Sequence, residues 1–371
     1  MLEENKDGLQ ETTQEVKEET HCENIEHSQI DNESIKLTEQ TVEEEVSINE
    51  TTVNKELFIV KSTNEWIEQG KKTPIPRILF DKFWFENELC ILFADTNLGK
   101  SILAVQIGNS ISKGQAIPDF ALGATKQKVV YFDFELSTKQ FQIRYCDEWS
   151  SQDCYTFDEN FVRIEFNPNM ELPKKIKFED YLIQELEKVI IDTESKIVIV
   201  DNITYLKDGT EKANDALPLM KKLKALKHKY DLSILALAHT PKRDLSKPLI
   251  KNDLQGSKML MNLCDSSFAI GESHADKDLR YLKQIKQRNC EQAYNADNVV
   301  ICEVDKLDNF LQFKFMGYGR ELEHLKPQSN ADKIKKKQEA ATLKTQGKSN
   351  CEIGRQLGVS EKTVRNWLNS K

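Results

Sequence analysis

Short apolar runs alternate with amphipathic segments along the middle of the chain. The runs are rich in β-branched and aromatic residues, as expected of buried strands. They lie at 89–93, 129–132, 197–200 and 232–237. Between them, apolar residues recur at helical spacing, as Leu217, Met220 and Leu223 do before the last run. Strands that alternate with helices predict an α/β fold with a mainly parallel sheet.

A polar loop follows the first of these runs, and a periodic apolar segment follows the loop. The loop and the first helical residues are Ala94, Asp95, Thr96, Asn97, Leu98, Gly99, Lys100, Ser101 and Ile102. Strand, loop and helix in this order are the context of a phosphate-binding loop, because free backbone amides and the helix N-terminus favour negative charge. Lys100 would then contact the β- and γ-phosphates of a nucleotide, and the Ser101 hydroxyl would bind Mg²⁺.

One position of this loop departs from the usual pattern. Ala94 stands where G-x-x-x-x-G-K-[ST] has its first glycine, and an alanine is suitable there if the φ angle is negative. The alternative interpretation is an ordinary strand–turn–helix that contains Gly-Lys-Ser by chance. The residues at the other strand ends decide between the two interpretations.

Titratable side chains close the other apolar runs. Asp133 and Glu135 follow the run at 129–132, Asp201 follows the next run, and His239 follows the last one. Ligands of open α/β sheets gather at the carboxyl ends of the strands. A carboxylate after 129–132 would orient and deprotonate an attacking water, and Asp201 would hold the Mg²⁺ shell. His239 would sense the γ-phosphate by hydrogen bonding. The alternatives are an acidic strand end and a structural histidine.

A basic pair, Lys286 and Arg288, lies farther along the chain. At a strand end, these cations would reach the nucleotide of a neighbouring subunit. They would stabilise the charge that develops on the transferred phosphoryl group. This role requires a homo-oligomer. The alternative is a solvated basic edge that protects the margin of the sheet.

The end of the chain has the pattern of a separate helical module. A basic helix is predicted at 333–346 and ends at Gly347, and a second helix opens with the capping-box residues Ser349 and Glu352. A turn at Gly358 leads to a third helix, so the pattern predicts a helix-turn-helix. The residues on its outer face, which would contact the major groove of duplex DNA, are Lys362, Thr363, Arg365 and Asn366. The alternative is a three-helix module that binds another protein.

Composition and charge limit the class of protein. Hydrophobic residues make up 39% of the 371 residues and charged residues 30%, as in a soluble globular protein with polar extensions. No apolar run has the length of a membrane span, and the acidic N-terminus lacks the apolar core of a secretory signal. The net charge of −9 is uneven, because acidic residues dominate before Lys55 and basic residues dominate the C-terminal module. Residues 1–55 carry too few apolar side chains to offset the entropy of ordering, so we expect disorder there.

The eight cysteines are scattered, and none forms a C-x-x-C pair. This spacing is typical of reduced, mostly buried thiols and favours neither a zinc site nor a disulfide framework. It therefore predicts a cytoplasmic protein.

The motifs resemble, in their order, those of the RecA-type ATPase core, and most closely those of the plasmid RepA-like branch of hexameric replicative helicases. They are the loop at 94–101, residues 133–135, Asp201, His239, residues 256–257 and residues 286–288. The resemblance covers about residues 60–320. It implies a RecA-like, doubly wound, mainly parallel sheet. It also implies ATP and Mg²⁺ as cofactors, and hydrolysis coupled to movement on single-stranded DNA.

The same resemblance implies roles for individual residues. Glu135 corresponds to the residue that positions the water, Asp201 to the Walker B acid and His239 to the γ-phosphate sensor. Lys286 and Arg288 correspond to a pair that acts across a subunit boundary, which implies a homo-oligomer such as a hexamer. The C-terminal segment is similar to the helix-turn-helix of resolvases and transposase-like proteins, which is not part of the helicase core.

These observations predict a chain of three parts. They are a disordered acidic tail at 1–55, a RecA-like P-loop ATPase domain at 56–325 and a helix-turn-helix DNA-binding module at 326–371. The predicted function is an ATP-hydrolysing DNA-binding protein for replication or mobilisation of a plasmid, phage or mobile element, and specifically a RepA-like helicase. Two alternatives stay open: a nucleotide-switched, sequence-specific DNA-binding regulator and a filament-forming recombination mediator.

Overall fold

Strands of one large sheet contain the apolar runs of the sequence. The computed structural model describes residues 58–147, 153–171, 173–203, 216–254, 257–327, 330–357 and 359–369. The strands are β1 (Ile78–Phe80), β2 (Trp84–Phe85), β3 (Leu89–Ala94), β4 (Val129–Asp133), β5 (Phe161–Ile164), β6 (Ile197–Asp201), β7 (Ser233–His239), β8 (Ser266–Glu272), β9 (Leu279–Lys286), β10 (Val299–Leu307) and β11 (Phe310–Gly319). The helices are α1 (Thr63–Lys72), α2 (Lys100–Lys113), α3 (Thr138–Tyr145), α4 (Phe178–Thr193), α5 (Ala216–Tyr230), α6 (Ser257–Leu263), α7 (Glu321–His324), α8 (Asn330–Thr345), α9 (Asn350–Leu357) and α10 (Glu361–Asn369). The tail predicted at 1–55, Gly256 and Gly358 lie outside the described residues.

The large sheet is mainly parallel, as the alternating pattern predicts. Its strand order is β11-β10-β9-β8-β3-β7-β6-β4-β5. The strands from β8 to β5 in this order run parallel, and β9, β10 and β11 extend the sheet as antiparallel strands. The carboxyl ends of β3, β7, β6 and β4 therefore lie side by side at one edge. The predicted α/β fold is confirmed.

Two apolar cores, one on each face of the parallel strands, explain why these strands read as continuous apolar runs. On one face, Leu92 of β3 belongs to the same core as Leu103 and Ile107 of α2. On the other face, Ile91 of β3 belongs to a core that includes Leu186 of α4. Alternate residues of one strand thus enter different cores, as the two-residue period of a strand requires.

Helix α2 is buried along most of its length, because β11 packs against it as well as the parallel strands. Gln106 fixes this contact with both polar atoms of its side chain. Its amide nitrogen donates to the carbonyl oxygen of Phe313 at 3.0 Å, and its oxygen accepts from the amide of Phe313 at 2.9 Å. The antiparallel end of the sheet therefore holds the helix that begins at Lys100.

The prediction that the chain contains no disulfide is wrong for one pair of cysteines. Cys146 and Cys154 are joined by a disulfide, with Cα atoms 3.9 Å apart. They face each other in an isolated antiparallel bridge beyond the end of α3, and their spacing in sequence gives no sign of this approach. Of the thiols among the described residues, Cys90, Cys264 and Cys302 are buried, as predicted.

The chain divides into two compact units, residues 1–73 and 74–371. In the described part of the first unit, Ser62 caps α1 reciprocally with Glu65. The Ser62 hydroxyl accepts from the amide of Glu65 at 3.3 Å, and the Glu65 carboxylate accepts from the amide of Ser62 at 2.7 Å. Across all the described ranges, no helix is long and apolar enough to span a membrane. The predicted division into three parts stays a prediction.

Helices α8, α9 and α10 form the predicted helix-turn-helix around a small core of their own. The buried members of this core are Ala340, Leu343, Ile353, Leu357 and Val364. The capping box that opens α9 is present: the Ser349 hydroxyl accepts from the amide of Glu352 at 3.3 Å, and Glu352 accepts from the amide of Ser349 at 2.9 Å. Ser360 caps α10 by accepting from the amide of Thr363 at 3.1 Å.

We expect Gly354→Ala to destabilise this module. A Cβ atom at Gly354 would lie 2.8 Å from the carbonyl oxygen of Val359, which is backbone and cannot rotate away. Alanine gains about 1 kcal/mol of helix propensity over glycine, but overpacking costs roughly 1–3 kcal/mol. Thermal unfolding followed by circular dichroism measures the net change. Cys351→Ala, at an exposed position of the same helix, is the matched control. A Gly354→Ala melting temperature equal to that of the control contradicts the packing argument.

Candidate active site

The carboxyl edge of the sheet brings together four side chains that are far apart in sequence. Lys100 begins α2 directly after the loop that follows β3, and Glu135 lies just beyond β4. Asp201 is the last residue of β6, and His239 is the last residue of β7. Because β3, β7, β6 and β4 are neighbours in this order, the predicted strand ends meet in one place. The sequence predicts each residue, and the strand order assembles them.

The loop between β3 and α2 has the backbone of a phosphate-binding turn. Asn97 and Gly99 have positive φ angles of 63° and 91°, whereas Ala94 is not among the residues with positive φ. The methyl group of Ala94, where the motif usually has its first glycine, is therefore compatible with the loop. Gly99 is the N-cap residue of α2, and no side chain forms a capping hydrogen bond there. The first amides of the helix can therefore donate to an anion. A Cβ atom at Gly99 would lie 2.9 Å from the ring of Phe313, so this position requires glycine.

The ammonium group of Lys100 is buried, and three acceptors surround it. It donates to the carbonyl oxygens of Ala94 at 3.1 Å and of Asp95 at 3.0 Å. Its third contact is with Nδ1 of His239, at 3.2 Å. Burial lowers the pKa of Lys100, and the nearby carboxylates of Asp201 and Glu135 oppose that shift. These contacts hold the cation against the loop that follows β3.

His239 connects Lys100 to Glu135. An ammonium group only donates, so Nδ1 of His239 accepts, and the ring proton of the neutral tautomer is then on Nε2. This nitrogen lies 3.2 Å from Oε1 of Glu135. The hydrogen bond from His239 is the main cause that lowers the pKa of Glu135. The carboxylate is therefore held ionised beside the cation, as a base that accepts a proton must be.

Asn202 is a member of this site that the sequence analysis did not identify. Its side-chain amide donates to Oε1 of Glu135 and lies 3.0 Å from Nε2 of His239. It is fully buried and directly follows Asp201 at the end of β6. A polar residue next to a strand-end carboxylate is a signal that points to it, although a neutral amide offers no chemistry that distinguishes it from a turn residue.

Asp201 is a buried carboxylate whose two oxygens differ. Oδ2 accepts from the hydroxyl of Tyr131 at 2.7 Å. Oδ1 is buried and has no hydrogen-bond partner among the described residues. Burial is the main cause that raises the pKa of Asp201 to about 6, and the hydroxyls of Ser101 and Tyr131 partly offset the shift. A carboxylate in this position gains from a cation beside it.

Ser101 and Asp201 fit a divalent cation such as Mg²⁺. A serine hydroxyl and a carboxylate oxygen without a proton donor are the hard oxygen ligands that Mg²⁺ prefers. No group of three or more His, Cys, Asp or Glu side chains in the described part of the chain could hold a metal ion alone. The remaining positions of an octahedral Mg²⁺ would thus fall to water and phosphate oxygens, as is usual in nucleotide sites.

Asp133 and Glu135 occupy different environments, although the sequence allowed either carboxylate to be the base that deprotonates the attacking water. The Asp133 side chain is buried and accepts from the amides of Glu135 at 3.2 Å and Leu136 at 2.9 Å. It also forms an ion pair with Arg163 of β5 at 2.8 Å. Asp133 therefore shapes the loop, and Glu135 is the carboxylate that faces Lys100.

Lys286 and Arg288 lie at the opposite edge of the sheet. Residue 286 pairs with Ser267 near the amino end of β8, because β9 runs antiparallel to β8. The Lys286 ammonium donates to the carbonyl oxygens of Met261 and Cys264, each at 2.6 Å. Arg288 lies 3.1 Å from the carboxylate of Asp265. Within one chain, the structure does not bring this pair to Lys100.

The helix-turn-helix presents the predicted DNA-binding residues on one side of α10. Lys362, Arg365 and Asn366 are exposed, whereas Thr363 is half-buried and hydrogen-bonds with Ser360. The first helix of the module carries further exposed lysines. Since Val364 is buried, the exposed positions form the face that is opposite the core.

The fold and the site define a P-loop NTPase core of the RecA type that is followed by a helix-turn-helix. Comparison with known families agrees. A family described as an AAA domain matches residues 59–244, half of the chain, and the chain belongs to this family. A homeodomain-like domain matches residues 331–370. The predicted RecA-type ATPase and helix-turn-helix are confirmed at this level.

Solved structures are also similar to the chain. One is a KaiC-like protein, PH0186, from the hyperthermophilic archaeon Pyrococcus horikoshii OT3. It is 11% identical, with a TM-score of 0.43, and the match covers 65% of this chain and all of that one. No curated protein matches the chain by sequence.

We expect Lys100→Ala to reduce ATP hydrolysis by on the order of a hundredfold or more, because the transferred phosphoryl group loses a direct cationic contact. Phosphate release at saturating ATP and Mg²⁺ measures the rate. Lys113→Ala removes the same side chain from the last turn of the same helix and is the matched control. Wild-type turnover in Lys100→Ala contradicts the location of the site.

Proposed function

We propose that the chain hydrolyses ATP at the carboxyl edge of the sheet and uses this reaction on DNA. The observation that carries the proposal is the contact series Lys100–His239–Glu135, which places a cation and an ionised carboxylate on either side of one imidazole. A phosphoryl-transfer site needs a cation for the phosphates and a group that orients the attacking water. The family and the fold support the same reaction class.

Each residue has a role in this proposal. Lys100 and the amides of the loop 94–101 bind the β- and γ-phosphates, and Glu135 orients the water and accepts its proton. His239 holds Glu135 through Nε2 and, as the proposed γ-phosphate sensor, lies against the Lys100 ammonium that binds the phosphates. Ser101 and Asp201 hold Mg²⁺, which neutralises phosphate charge when it is bound. The cofactors are therefore ATP and Mg²⁺.

The finer proposal is a RepA-like helicase for replication or mobilisation of a plasmid, phage or mobile element. In a homo-oligomer, Lys286 and Arg288 of one subunit act on the nucleotide of the next. Single-stranded DNA passes through the ring, and the exposed face of α10 anchors the assembly on duplex DNA. The support is the position of Lys286 and Arg288 at the amino edge of the sheet, from which they would reach a nucleotide only across a subunit boundary.

We expect Glu135→Gln to keep ATP binding and to lower hydrolysis by on the order of a hundredfold, as for the loss of a general base. ATPase rates with and without single-stranded DNA, together with a mass measurement of the assembly, test the ATPase proposal and the helicase proposal separately. A helicase shows stimulation by single-stranded DNA and a mass of several subunits. Loss of nucleotide binding in Glu135→Gln refutes its assignment as the base. A monomer that single-stranded DNA does not stimulate refutes the helicase proposal while the ATPase proposal stands.

A second candidate function is a DNA-binding regulator that nucleotide switches. The observation that favours it is the attachment of the segment before α8 to the loop that follows His239. Lys326 donates through its amide to the carbonyl oxygen of Leu245 at 3.0 Å, and Lys336 of α8 lies 3.7 Å from Asp244. A shift of β7 at the phosphate site would thus reach the helix-turn-helix through one backbone hydrogen bond and one side-chain ion pair.

A buried ion pair reinforces this attachment. Glu321 of α7 is fully buried and pairs with Lys283 of β9. Glu321 accepts from the amide of Leu249 at 2.7 Å, and Lys283 donates to the carbonyl oxygen of the same residue at 2.8 Å. Both backbone polar groups of Leu249 are thereby bound to this ion pair, whose glutamate lies on α7, the helix that precedes the DNA-binding module.

For the switch, we expect ATP to change the affinity for duplex DNA by roughly 5- to 150-fold, which is the usual range of coupling between sites. Fluorescence anisotropy with a random-sequence duplex, at low salt and with and without ATP, measures it in the Glu135→Gln background. Glu321→Gln keeps an acceptor but loses the charge, so it should move the ratio toward one. Arg365→Ala should weaken DNA binding equally in both conditions. An unchanged duplex affinity on ATP addition excludes the switch.

A further inference from the structure

The loop between β4 and α3 carries Glu135, and its backbone is bound at successive residues. The amide of Phe134 donates to the carbonyl oxygen of Asp201 at 2.8 Å. The amides of Glu135 and Leu136 donate to Oδ1 of Asp133. One buried carboxylate therefore determines the course of the backbone from which the Glu135 side chain projects.

Arg163 holds that carboxylate and the far side of the same loop. Its Nε atom donates to Oδ2 of Asp133 at 2.8 Å, and an Nη atom donates to the carbonyl oxygen of Leu136 at 2.8 Å. The guanidinium group lies 4.4 Å above the ring of Phe141 in α3. A planar fork bonds to both acceptors at once, which a single ammonium group in the same place does less well.

The position of Arg163 argues for a specific task. It lies on β5, the edge strand of the sheet, directly beside Tyr131 of β4. Its side chain is only 16% exposed, although an edge strand offers solvent on its open side. A buried ion pair is weak evidence for stability, because the cost of removing the charges from water offsets their attraction. A contribution to stability therefore does not explain why Arg163 is buried here. Its hydrogen bonds to the loop that carries Glu135 do explain it.

We infer that Arg163 is a positioning residue for ATP hydrolysis, which acts through Asp133 and Leu136 on the orientation of the Glu135 carboxylate. This inference rests on the proposed function, because Glu135 must be the group that orients the water. Arg163 itself does not contact the nucleotide. Small displacements of a reacting group have large effects on rate, and a shift of about 1 Å can cost a hundredfold.

The experiment compares Arg163→Met, Arg163→Lys and Glu165→Gln, each alone and combined with Glu135→Gln. Single-turnover hydrolysis gives the rate of the chemical step, and titration with a non-hydrolysable ATP analogue gives the affinity. Glu165→Gln is the matched control, since Glu165 is the other carboxylate that pairs with Arg163 and lies at the surface. It should leave both quantities unchanged.

We expect Arg163→Met to lower the hydrolysis rate by roughly 10- to 100-fold and to change the analogue affinity by less than about twofold. Arg163→Lys should recover part of the rate. In the Glu135→Gln background, Arg163→Met should have no further effect, because the group that it positions is already lost. Asp133→Asn should reproduce the loss and replaces Arg163→Met if that variant does not fold.

Three outcomes overturn the inference: an unchanged rate in Arg163→Met, a parallel loss of analogue affinity, or an equal loss in the Glu135→Gln background. The last outcome means that Arg163 acts independently of Glu135. Wild-type hydrolysis in Glu135→Gln alone instead refutes the proposed function. The two failures are therefore distinguishable.

Discussion

The buried ammonium group of Lys100 is the constraint on which the arrangement of the site depends. Two of its donors go to backbone carbonyls of its own loop, and the third goes to a ring nitrogen of His239. A group that only donates fixes the tautomer of the imidazole, and the tautomer in turn directs a proton at Glu135. The contacts then pass from α2, which follows β3, to β7, to Asn202 after β6, and to the loop after β4. This is the order of the strands in the sheet.

The strand ends of the site are predictable because an apolar run followed by a polar residue is a local signal. Asp201 and His239 follow such runs, Lys100 follows the loop after another, and the sheet places all three as expected. Their contacts are not predictable in the same way, since they depend on which strands are neighbours. Asn202 acquires a role only because β6 lies between β7 and β4. Arg163 lies on a short strand, and its hydrogen-bond partners Asp133 and Leu136 are 30 and 27 residues away in sequence. No local sequence pattern therefore predicts its role.

The positions of Lys286 and Arg288 follow from the direction of β9. This direction cannot be predicted from the sequence. An antiparallel strand carries its last residues to the amino edge of β8, away from the phosphate loop. There Asp265 binds Arg288 and also accepts from the amide of Leu89, the first residue of β3. The two ends of β3 thus carry the two parts of the proposed reaction centre. Copies of the chain can complete it only if the carboxyl edge of one faces the amino edge of another.

Asp133 and Asp201 show how neighbouring carboxylates acquire different uses. They are paired in register on β4 and β6, and both are buried. Asp133 accepts from two amides and an arginine, so its charge is compensated by the protein. Asp201 accepts from the Tyr131 hydroxyl through Oδ2, its Oδ1 has no hydrogen-bond partner among the described residues, and burial raises its pKa to about 6 although the hydroxyls of Ser101 and Tyr131 oppose the shift. A buried carboxylate whose oxygens all accept from protein donors orders a loop, whereas one with an oxygen that has no hydrogen-bond donor can also bind a metal cation. The difference therefore fits Asp133 to ordering the backbone of the site and supports the proposed role of Asp201 in holding Mg²⁺.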